Sequence, residues 1–122
     1  MKTVFICHPI GGNITNNVKK ILHLCRNLHD NNLIPVAPYL GSLQYLDDTK
    51  PESRQLGINA NLETLRRGFV DELWLFGDRI SPGMKEEVFL CFELGIPVYA
   101  HTSETLADLR YVLDSWKELR NK

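Results

Sequence analysis

Short apolar runs alternate with amphipathic segments along the whole chain. Runs rich in β-branched and aromatic residues predict strands at residues 3–7, 33–37, 70–76 and 96–100. Apolar residues that recur every three or four positions predict helices at residues 18–28, 52–67, 84–94 and 104–119. This alternation predicts an α/β fold, a flavodoxin- or Rossmann-like three-layer sandwich around a four- to five-stranded parallel sheet.

Turn-forming residues separate these segments. Thr15 or Asn16 is expected to cap the first helix and Thr102 or Ser103 the last, in which Asp108 is expected to face water. Residues 39–51 are turn-like, either a surface excursion that overhangs a pocket or a plain solvated loop. Ligands of open parallel sheets bind beyond the carboxyl ends of the strands, where strand order reverses. The loops after the first three strands are therefore the candidate site.

Composition excludes several classes of protein. The chain has 122 residues, which predicts one domain over 1–122. Its 14 Lys and Arg residues against 15 Asp and Glu give a net charge of −1, which argues against a nucleic-acid-binding surface. No apolar run is long enough to cross a bilayer and no cleavage site follows the first strand, so we expect a cytoplasmic protein without membrane contact.

The cysteines Cys7, Cys25 and Cys91 lie far apart among apolar neighbours. We expect reduced thiols that pack as small hydrophobes. Cys7 and His8 do not form a nucleophile pair, because adjacent residues of a strand point to opposite faces. No His, Cys or carboxylate residues have the spacing of metal ligands, so neither a metal nor another cofactor is expected.

Glu87 is the strongest candidate for chemistry. With Glu86 at zero on a wheel of about 100° per residue, Glu87 falls at about 100°, inside the apolar arc that holds Leu94 and Cys91. A carboxylate on an apolar face is costly unless it is paired or functional. In the first turn of the predicted helix the helix dipole would keep it ionised, as a glycosyl-accepting nucleophile requires. The alternative is a glutamate that caps its own helix or reaches solvent at the edge.

The loop HPIGGN after the first strand is a second candidate. Gly11 and Gly12 would let backbone N–H groups approach an anion at the start of a helix, although a plain tight turn explains them equally well. His8 at the same strand end would donate a hydrogen bond to a ligand or be satisfied within the structure.

Three segments together resemble one known family. VFICHPIGGN, VDELWLFG and GDRISPGMKEEVFLCFELGIPV resemble the nucleoside 2-deoxyribosyltransferase-like superfamily, above all its compact bacterial and phage branch. The deoxynucleoside monophosphate N-glycosidases are a more distant likeness. The resemblance covers most of residues 3–98, and its second half is the specific part.

The resemblance implies that Glu87 is the nucleophile. In that family a glycine lies four residues before the nucleophile, and Gly83 has this position relative to Glu87. A strand begins a few residues after the nucleophile, and Pro97 and Val98 match the start of that strand. The implied reaction is cleavage of an N-glycosidic bond, or base exchange, on a (deoxy)nucleoside or nucleoside 5′-monophosphate. A glycosyl-enzyme ester forms and is resolved by another base or by water.

Two positions depart from the family pattern. Many transferases have an acidic residue six positions before the nucleophile, where this chain has Ser81. Asp78 in the same loop is a substitute acid or a turn former. A tyrosine of the first strand that steadies the carboxylate is replaced by Phe5. These departures fit a hydrolase, an altered specificity, or a module that binds nucleotides without turnover.

The phosphate-binding branch of the family implies further contacts. The phosphate site of that branch corresponds here to Ile10, Gly11, Gly12, Ser81 and Gly83. Met84, the neighbour of Gly83, is a further candidate for binding the substrate. Arg79 is an additional cation suggested by its position in the loop rather than by the family. Asn61 falls near a position where some members have an acidic residue that contacts substrate.

The resemblance also implies self-association. Members are usually homodimers or larger symmetric assemblies, in which a neighbouring subunit completes the pocket. Trp74, Phe89 and Phe92 are candidates for such a contact, with core packing as the alternative for Trp74. A lid has to come from residues 39–51 or from another copy of the chain.

Overall fold

Strands and helices follow one another in the predicted order. The computed structural model describes residues 1–122. The strands are β1 (Lys2–Cys7), β2 (Leu33–Val36), β3 (Glu72–Leu75) and β4 (Val98–Ala100). The helices are α1 (Ile14–Leu28), α2 (Tyr39–Ser42), α3 (Pro51–Arg66), α4 (Pro82–Leu94) and α5 (Ser103–Arg120). The α/β prediction is confirmed, with four strands in the sheet.

The sheet is parallel and has the order β2-β1-β3-β4. The chain moves from β1 to β2 in one direction and from β2 across to β3 in the other. Because such crossovers are right-handed, α1 and α3 lie on opposite faces, which makes a three-layer Rossmann-like sandwich. The reversal of direction lies between β1 and β3, so a crevice opens beyond the carboxyl ends of these two strands.

The core lies on both faces of the two central strands. Alternation along β1 directs Phe5 to one face and Ile6 to the other, and both side chains are fully buried. Cys7 and Cys91 are buried, Cys25 is half-buried, and all three are free thiols, as expected. Burial raises the pKa of Cys7 well above its usual value and that of Cys91 to about 12. Both buried thiols are therefore protonated and inert.

The predicted caps are right for α5 and wrong for α1. Thr102 caps α5, its hydroxyl oxygen accepting a hydrogen bond from the Thr105 N–H at 3.1 Å. The cap of α1 is Asn13, whose side-chain oxygen accepts from the Asn16 N–H at 3.1 Å. An Asn side chain is among the best N-caps, so α1 begins directly after the glycine loop, at Ile14.

Residues 39–51 are not an irregular excursion throughout. Tyr39–Ser42 form the single turn α2, and Tyr39 and Ser42 are buried. The Tyr39 hydroxyl donates a hydrogen bond to the Ile6 carbonyl at 2.5 Å, and its ring centroid lies 6.3 Å from that of Phe5. The sequence prediction missed this turn because its anchoring contacts are to residues more than thirty positions away.

Helix α5 holds the loop between β3 and α4. The Asp108 carboxylate accepts a hydrogen bond from the Ile80 N–H at 2.9 Å, so the prediction that Asp108 faces water is wrong. The Thr102 hydroxyl donates to the Gly77 carbonyl at 2.8 Å. Neither contact has a sequence signal, because each joins residues distant in the chain. None of the helices combines the length and apolar character that crossing a membrane requires.

The three aromatic residues considered for self-association are all half-buried. Trp74 donates a hydrogen bond to Glu72, and its ring lies 4.4 Å from that of His101. Phe92 packs 5.2 Å from Trp116. Contacts within the chain therefore bury part of the surface of these aromatic side chains. The symmetric assembly stays a prediction.

Candidate active site

A pocket opens at the crevice between β1 and β3, and we call it the Glu87 pocket. It is open to solvent on one side, and the volume that it encloses is small, about 70 Å³. Its lining comes from the end of β1, from α2 and the loop after it, from α3, and from the start of α4. The lining residues are His8, Ile10, Tyr39, Ser42, Leu43, Asp48, Arg54, Gly57, Ile58, Asn61, Ser81, Gly83, Met84 and Glu87.

Glu87 is buried in this pocket with only 7% of its surface exposed. Its Oε2 atom makes no hydrogen bond within the chain. The neighbouring Glu86 is exposed, so the wheel assigned the two glutamates correctly. A buried carboxyl without a partner is costly, which is the mark of a group kept for a ligand.

The expected charge state of Glu87 is wrong. Helix α4 begins at Pro82, two residues before the predicted start, because Ser81 caps it and proline is favoured at the first helical position. Glu87 therefore lies beyond the first turn, where the helix dipole no longer favours its charge. Burial, and secondly the charge of Glu86, raises the pKa of Glu87 from 4.5 to about 8. At neutral pH the Glu87 carboxyl is therefore protonated.

Asn61 is a second buried polar residue of the pocket. It projects from α3, is 8% exposed, and its Oδ1 atom has no hydrogen-bond partner in the chain. Its place in the pocket agrees with the substrate-binding role predicted for it. Two buried side chains from different helices thus present unpartnered oxygen atoms to one cavity.

His8 contributes a neutral imidazole. Its Nδ1 lies 2.7 Å from the Pro9 carbonyl oxygen, which fixes Nδ1–H as the donor and leaves Nε2 as the acceptor. Burial, as the largest cause, lowers the pKa of His8. The ring is therefore unprotonated at neutral pH, and its N–H is satisfied within the structure, which is the second of the two alternatives that the sequence left open.

The start of α4 supplies the other predicted contacts. Ser81, Gly83 and Met84 line the pocket, together with Ile10 from the loop after β1. The Ser81 hydroxyl oxygen accepts a hydrogen bond from the Met84 N–H at 3.3 Å. Ser81 thus acts first as the cap of α4, which fixes the helix that carries Glu87.

Five predicted site residues lie outside the pocket: Phe5, Gly11, Gly12, Asp78 and Arg79. Phe5 is fully buried in the core. Asp78 is exposed and forms an ion pair with Arg79 at 2.8 Å. Arg79 turns away from the cavity, its Nη2 reaching the Gly11 carbonyl at 3.5 Å. Neither side chain lines the pocket, because the loop that carries them is drawn toward α5 by Asp108.

Gly11 and Gly12 line a second cavity beside the pocket, and we call it the Gly11 cleft. Its lining residues are Gly11, Gly12, Asn13, Ile14, Thr15, Asp48, Thr49 and Arg54. Gly12 has a φ of +97°, a backbone conformation that favours glycine. A Cβ on Gly11 would lie 3.2 Å from the Arg54 guanidinium, so glycine also permits close approach of that cation.

The comparisons with known proteins place the chain in a family. Residues 2–101 match the family described as a domain of unknown function, DUF7768. The chain belongs to this family. The DUF7768 match runs from β1 to the end of β4 and contains every residue of the Glu87 pocket and the Gly11 cleft. No curated protein and no solved structure matches the chain.

Sequence reasoning placed the loop after the second strand at the site, which agrees with the wall formed by residues 39–48, but half of the DUF7768 pocket residues were not predicted individually. The unpredicted residues are Tyr39, Ser42, Leu43, Asp48, Arg54, Gly57 and Ile58. The signal on α3 was present in the sequence. Arg54, Ile58, Asn61 and Leu65 lie on one helical stripe, and Leu65 is fully buried. Polar residues on a buried stripe are the same signal that identified Glu87.

No group of three or more His, Cys, Asp or Glu side chains is placed to hold a metal ion. The chemistry available to the pocket therefore has to be described from its own groups: a protonated carboxyl, a neutral imidazole, an amide and a guanidinium. These groups suit proton transfer, attack by a carboxylate and binding of an anionic ligand.

Proposed function

We propose that the Glu87 pocket cleaves the N-glycosidic bond of a (deoxy)nucleoside or nucleotide, with Glu87 as the nucleophile. Hydrolysis follows if water resolves the intermediate, and base exchange if another base does. The resemblance to nucleoside 2-deoxyribosyltransferase-like proteins supports this reaction. The fold supports it as well, because the pocket lies where open parallel sheets bind their ligands.

The observation that carries the proposal is the buried, unpartnered carboxyl of Glu87. A purely structural glutamate at this position would be paired or would reach solvent, and Glu87 does neither. Burial also strips water from the carboxyl, which increases the reactivity of its ionised form toward an electrophilic carbon.

The raised pKa of Glu87 requires a proton acceptor before attack. No side chain of the chain is hydrogen-bonded to Glu87 Oε2, so water at the open side of the pocket takes this proton. The Glu87 carboxylate then forms a bond to C1′ of the sugar as the C1′–N bond breaks. The bond electrons leave with the base, which takes a proton from water. An ester between Glu87 and the sugar remains, and water or a second base displaces it.

Asp78, first considered as the acid, does not line the pocket. The Asp78 side chain is 76% exposed and paired with Arg79, outside the pocket. Its charge acts on the pocket only by raising the pKa of His8, against the larger effect of burial. Asp78 is therefore not assigned to proton transfer.

The alternative function is a non-catalytic nucleotide-binding module. The protonated state of Glu87 favours a binding module, because a neutral carboxyl is a hydrogen-bond donor rather than a nucleophile. A neutral Glu87 and Asn61 would together form hydrogen bonds with the polar edge of a base or with the hydroxyls of a sugar.

The resemblance also supports two properties of the whole protein. We propose that the chain acts on a small-molecule nucleotide in the cytoplasm, and that it assembles as a homodimer or a larger symmetric oligomer. Size-exclusion chromatography with light scattering measures the assembly directly.

Base release distinguishes catalysis from binding. The protein is incubated with nucleosides, deoxynucleosides and their 5′-phosphates, with and without a free acceptor base, and released base is measured by chromatography. The wild type and Glu86→Gln are expected to release base, and Glu87→Gln is not. Glu86 is the matched control because it is the exposed neighbour on the same helix. Equal release by wild type and Glu87→Gln would contradict the proposal, and tight binding without release would favour the binding module.

A further inference from the structure

Two cavities of this protein adjoin and share part of their walls. Asp48 and Arg54 line both the Glu87 pocket and the Gly11 cleft. A ligand that extends past Arg54 would therefore reach from one cavity into the other. The cleft is open to solvent and has a volume of about 420 Å³, enough for more than one phosphate group.

The cleft is lined by backbone donors that have no partner. None of the N–H groups from Gly11 to Thr15 donates a hydrogen bond within the chain. They lie at the start of α1, a helix of 15 residues with no acidic residue in its first turn. Free N–H groups at a helix start, approached through glycines, favour a negatively charged group.

Arg54 is a cation without a counter-ion. No carboxylate lies within 4 Å of its guanidinium, as is also true of Arg26, Arg110 and Arg120, but Arg54 alone of these four lines the two cavities. It stands against Gly11, between the two cavities. A guanidinium in this position can bind two oxygen atoms of a phosphate chain at once. Asp48 faces the same two cavities and opposes an anion, so Arg54 and the N–H groups have to outweigh its charge.

The Glu87 pocket supplies the independent sign of a ligand. Glu87 and Asn61 are more than nine-tenths buried and present unpartnered oxygens to it. The ligand therefore fills this pocket with its uncharged part, and the adjoining cleft is left for its anionic part.

We propose that the ligand is a nucleotide with at least two phosphate groups at its 5′ end, whose phosphate chain runs past Arg54 into the Gly11 cleft. The orientation rests on the proposed function, since it takes the sugar to lie against Glu87. A nucleoside or a monophosphate leaves the cleft empty and binds more weakly.

Calorimetric titration at low salt tests the proposal, with inorganic pyrophosphate and inorganic phosphate as the first probes. Nucleosides and their 5′-mono- and 5′-diphosphates follow, on Glu87→Gln protein so that turnover does not interfere. Pyrophosphate is expected to bind roughly tenfold or more tightly than phosphate, as an added charge-assisted contact provides. Each diphosphate is expected to bind more tightly than its monophosphate.

Three variants locate the phosphate chain. Arg54→Met is expected to weaken pyrophosphate binding about tenfold or more. Arg66→Met removes the same charge from the far end of the same helix and is expected to change nothing. Thr15→Asp puts a carboxylate in the cleft and is expected to abolish the preference for diphosphates while monophosphates still bind. An acidic residue in the first turn favours the helix, so this variant is expected to fold.

Equal binding of phosphate and pyrophosphate, no binding of either, or an unchanged preference in Arg54→Met would each overturn the proposal. These readouts are separate from catalysis. Base release without a preference for diphosphates would support the proposed catalysis and overturn the proposed site for the phosphate chain. A preference for diphosphates without base release would support the site for the phosphate chain and overturn the catalysis.

Discussion

Glu87 Oε2 and Asn61 Oδ1 come from different helices, face the same pocket, and neither accepts a hydrogen bond within the chain. A buried polar atom without a partner costs about 1–3 kcal/mol of stability. Two such atoms in one cavity therefore lower the stability of the folded protein at one site. Ligand binding is the function that would account for this cost, because a ligand can satisfy both atoms at once.

Asn61→Leu is expected to stabilise the protein and to impair its function. The substitution replaces an unsatisfied amide by an apolar group of similar size, so the free energy of unfolding is expected to rise by about 1 kcal/mol or more. Urea denaturation measures this change, and nucleotide titration is expected to show weakened binding. Asn59→Leu on the exposed side of α3 is the control and is expected to leave binding unchanged. A destabilised Asn61→Leu that binds normally would show that Asn61 is structural.

The stability of the protein is expected to depend on pH through Glu87. Its pKa is about 8 in the folded chain and 4.5 as the ordinary value, so the folded state holds a proton that the unfolded state loses between these pH values. The Glu87 contribution to stability is therefore complete below pH 4.5 and is lost as pH rises to about 8, at up to about 1.4 kcal/mol per pH unit.

Denaturation of Glu87→Gln between pH 5 and pH 8 checks this origin. The variant cannot ionise, so the decline in its unfolding free energy is expected to be shallower than that of the wild type. Identical slopes for the two proteins would show that Glu87 is not the group responsible.

Base release is expected to increase with pH up to about 8, because the attacking form of Glu87 is the carboxylate. Other ionisable groups surround this carboxyl on every side and shape the profile. They are Cys7, His8, Tyr39, Asp48, Arg54, Glu86 and Cys91. Glu86→Gln removes a negative charge that raises the pKa of Glu87, so its profile is expected to shift to lower pH. A wild-type profile that falls between pH 6 and pH 8 would instead assign Glu87 as a proton donor.

Tyr39→Phe is expected to destabilise the pocket wall. The substitution removes the buried hydrogen bond from the Tyr39 hydroxyl to the Ile6 carbonyl, at a cost of about 1–3 kcal/mol. Chemical denaturation measures the loss. Tyr111→Phe is the matched control, since Tyr111 is 75% exposed and no loss is expected there. Equal stability of the two variants would mean that α2 is held by packing alone.

Asp108→Ala is expected to loosen the loop before α4. The substitution leaves the Ile80 N–H without its acceptor, and Ile80 directly precedes the Ser81 cap. We expect weaker ligand binding together with a stability loss of about 1 kcal/mol. Asp114→Ala, on the exposed side of the same helix, provides the comparison. Unchanged ligand affinity in Asp108→Ala would show that the loop keeps its conformation without α5.

The fold could be predicted because each element carries its own local pattern. The apolar run of β1 and the three- and four-residue spacing of α1 are local signals, and their alternation gives the parallel sheet. Glu87 could be assigned in the same way, since about 100° of the helical wheel separates it from Glu86. The first and last turns of helices were less certain, as the cap at Asn13 and the early start at Pro82 show.

The rest of the site depends on contacts between distant residues. Tyr39 lies in the pocket wall because its hydroxyl meets Ile6, and Asp78 lies outside because Asp108 draws its loop away. The charge state of Glu87 could not be predicted either, because it is set by the depth of burial. Arg54 was within reach of sequence reasoning, on the same helical stripe as Asn61 and Leu65.

Attack of Glu87 on the sugar is tested by mass spectrometry of protein quenched with acid during base release. A covalent adduct with the mass of the sugar moiety is expected on the peptide that contains Glu87. The adduct is expected in the wild type and in Glu86→Gln, and not in Glu87→Gln. Base release at the wild-type rate by Glu87→Gln, or an adduct on a different residue, would show that Glu87 is not the nucleophile.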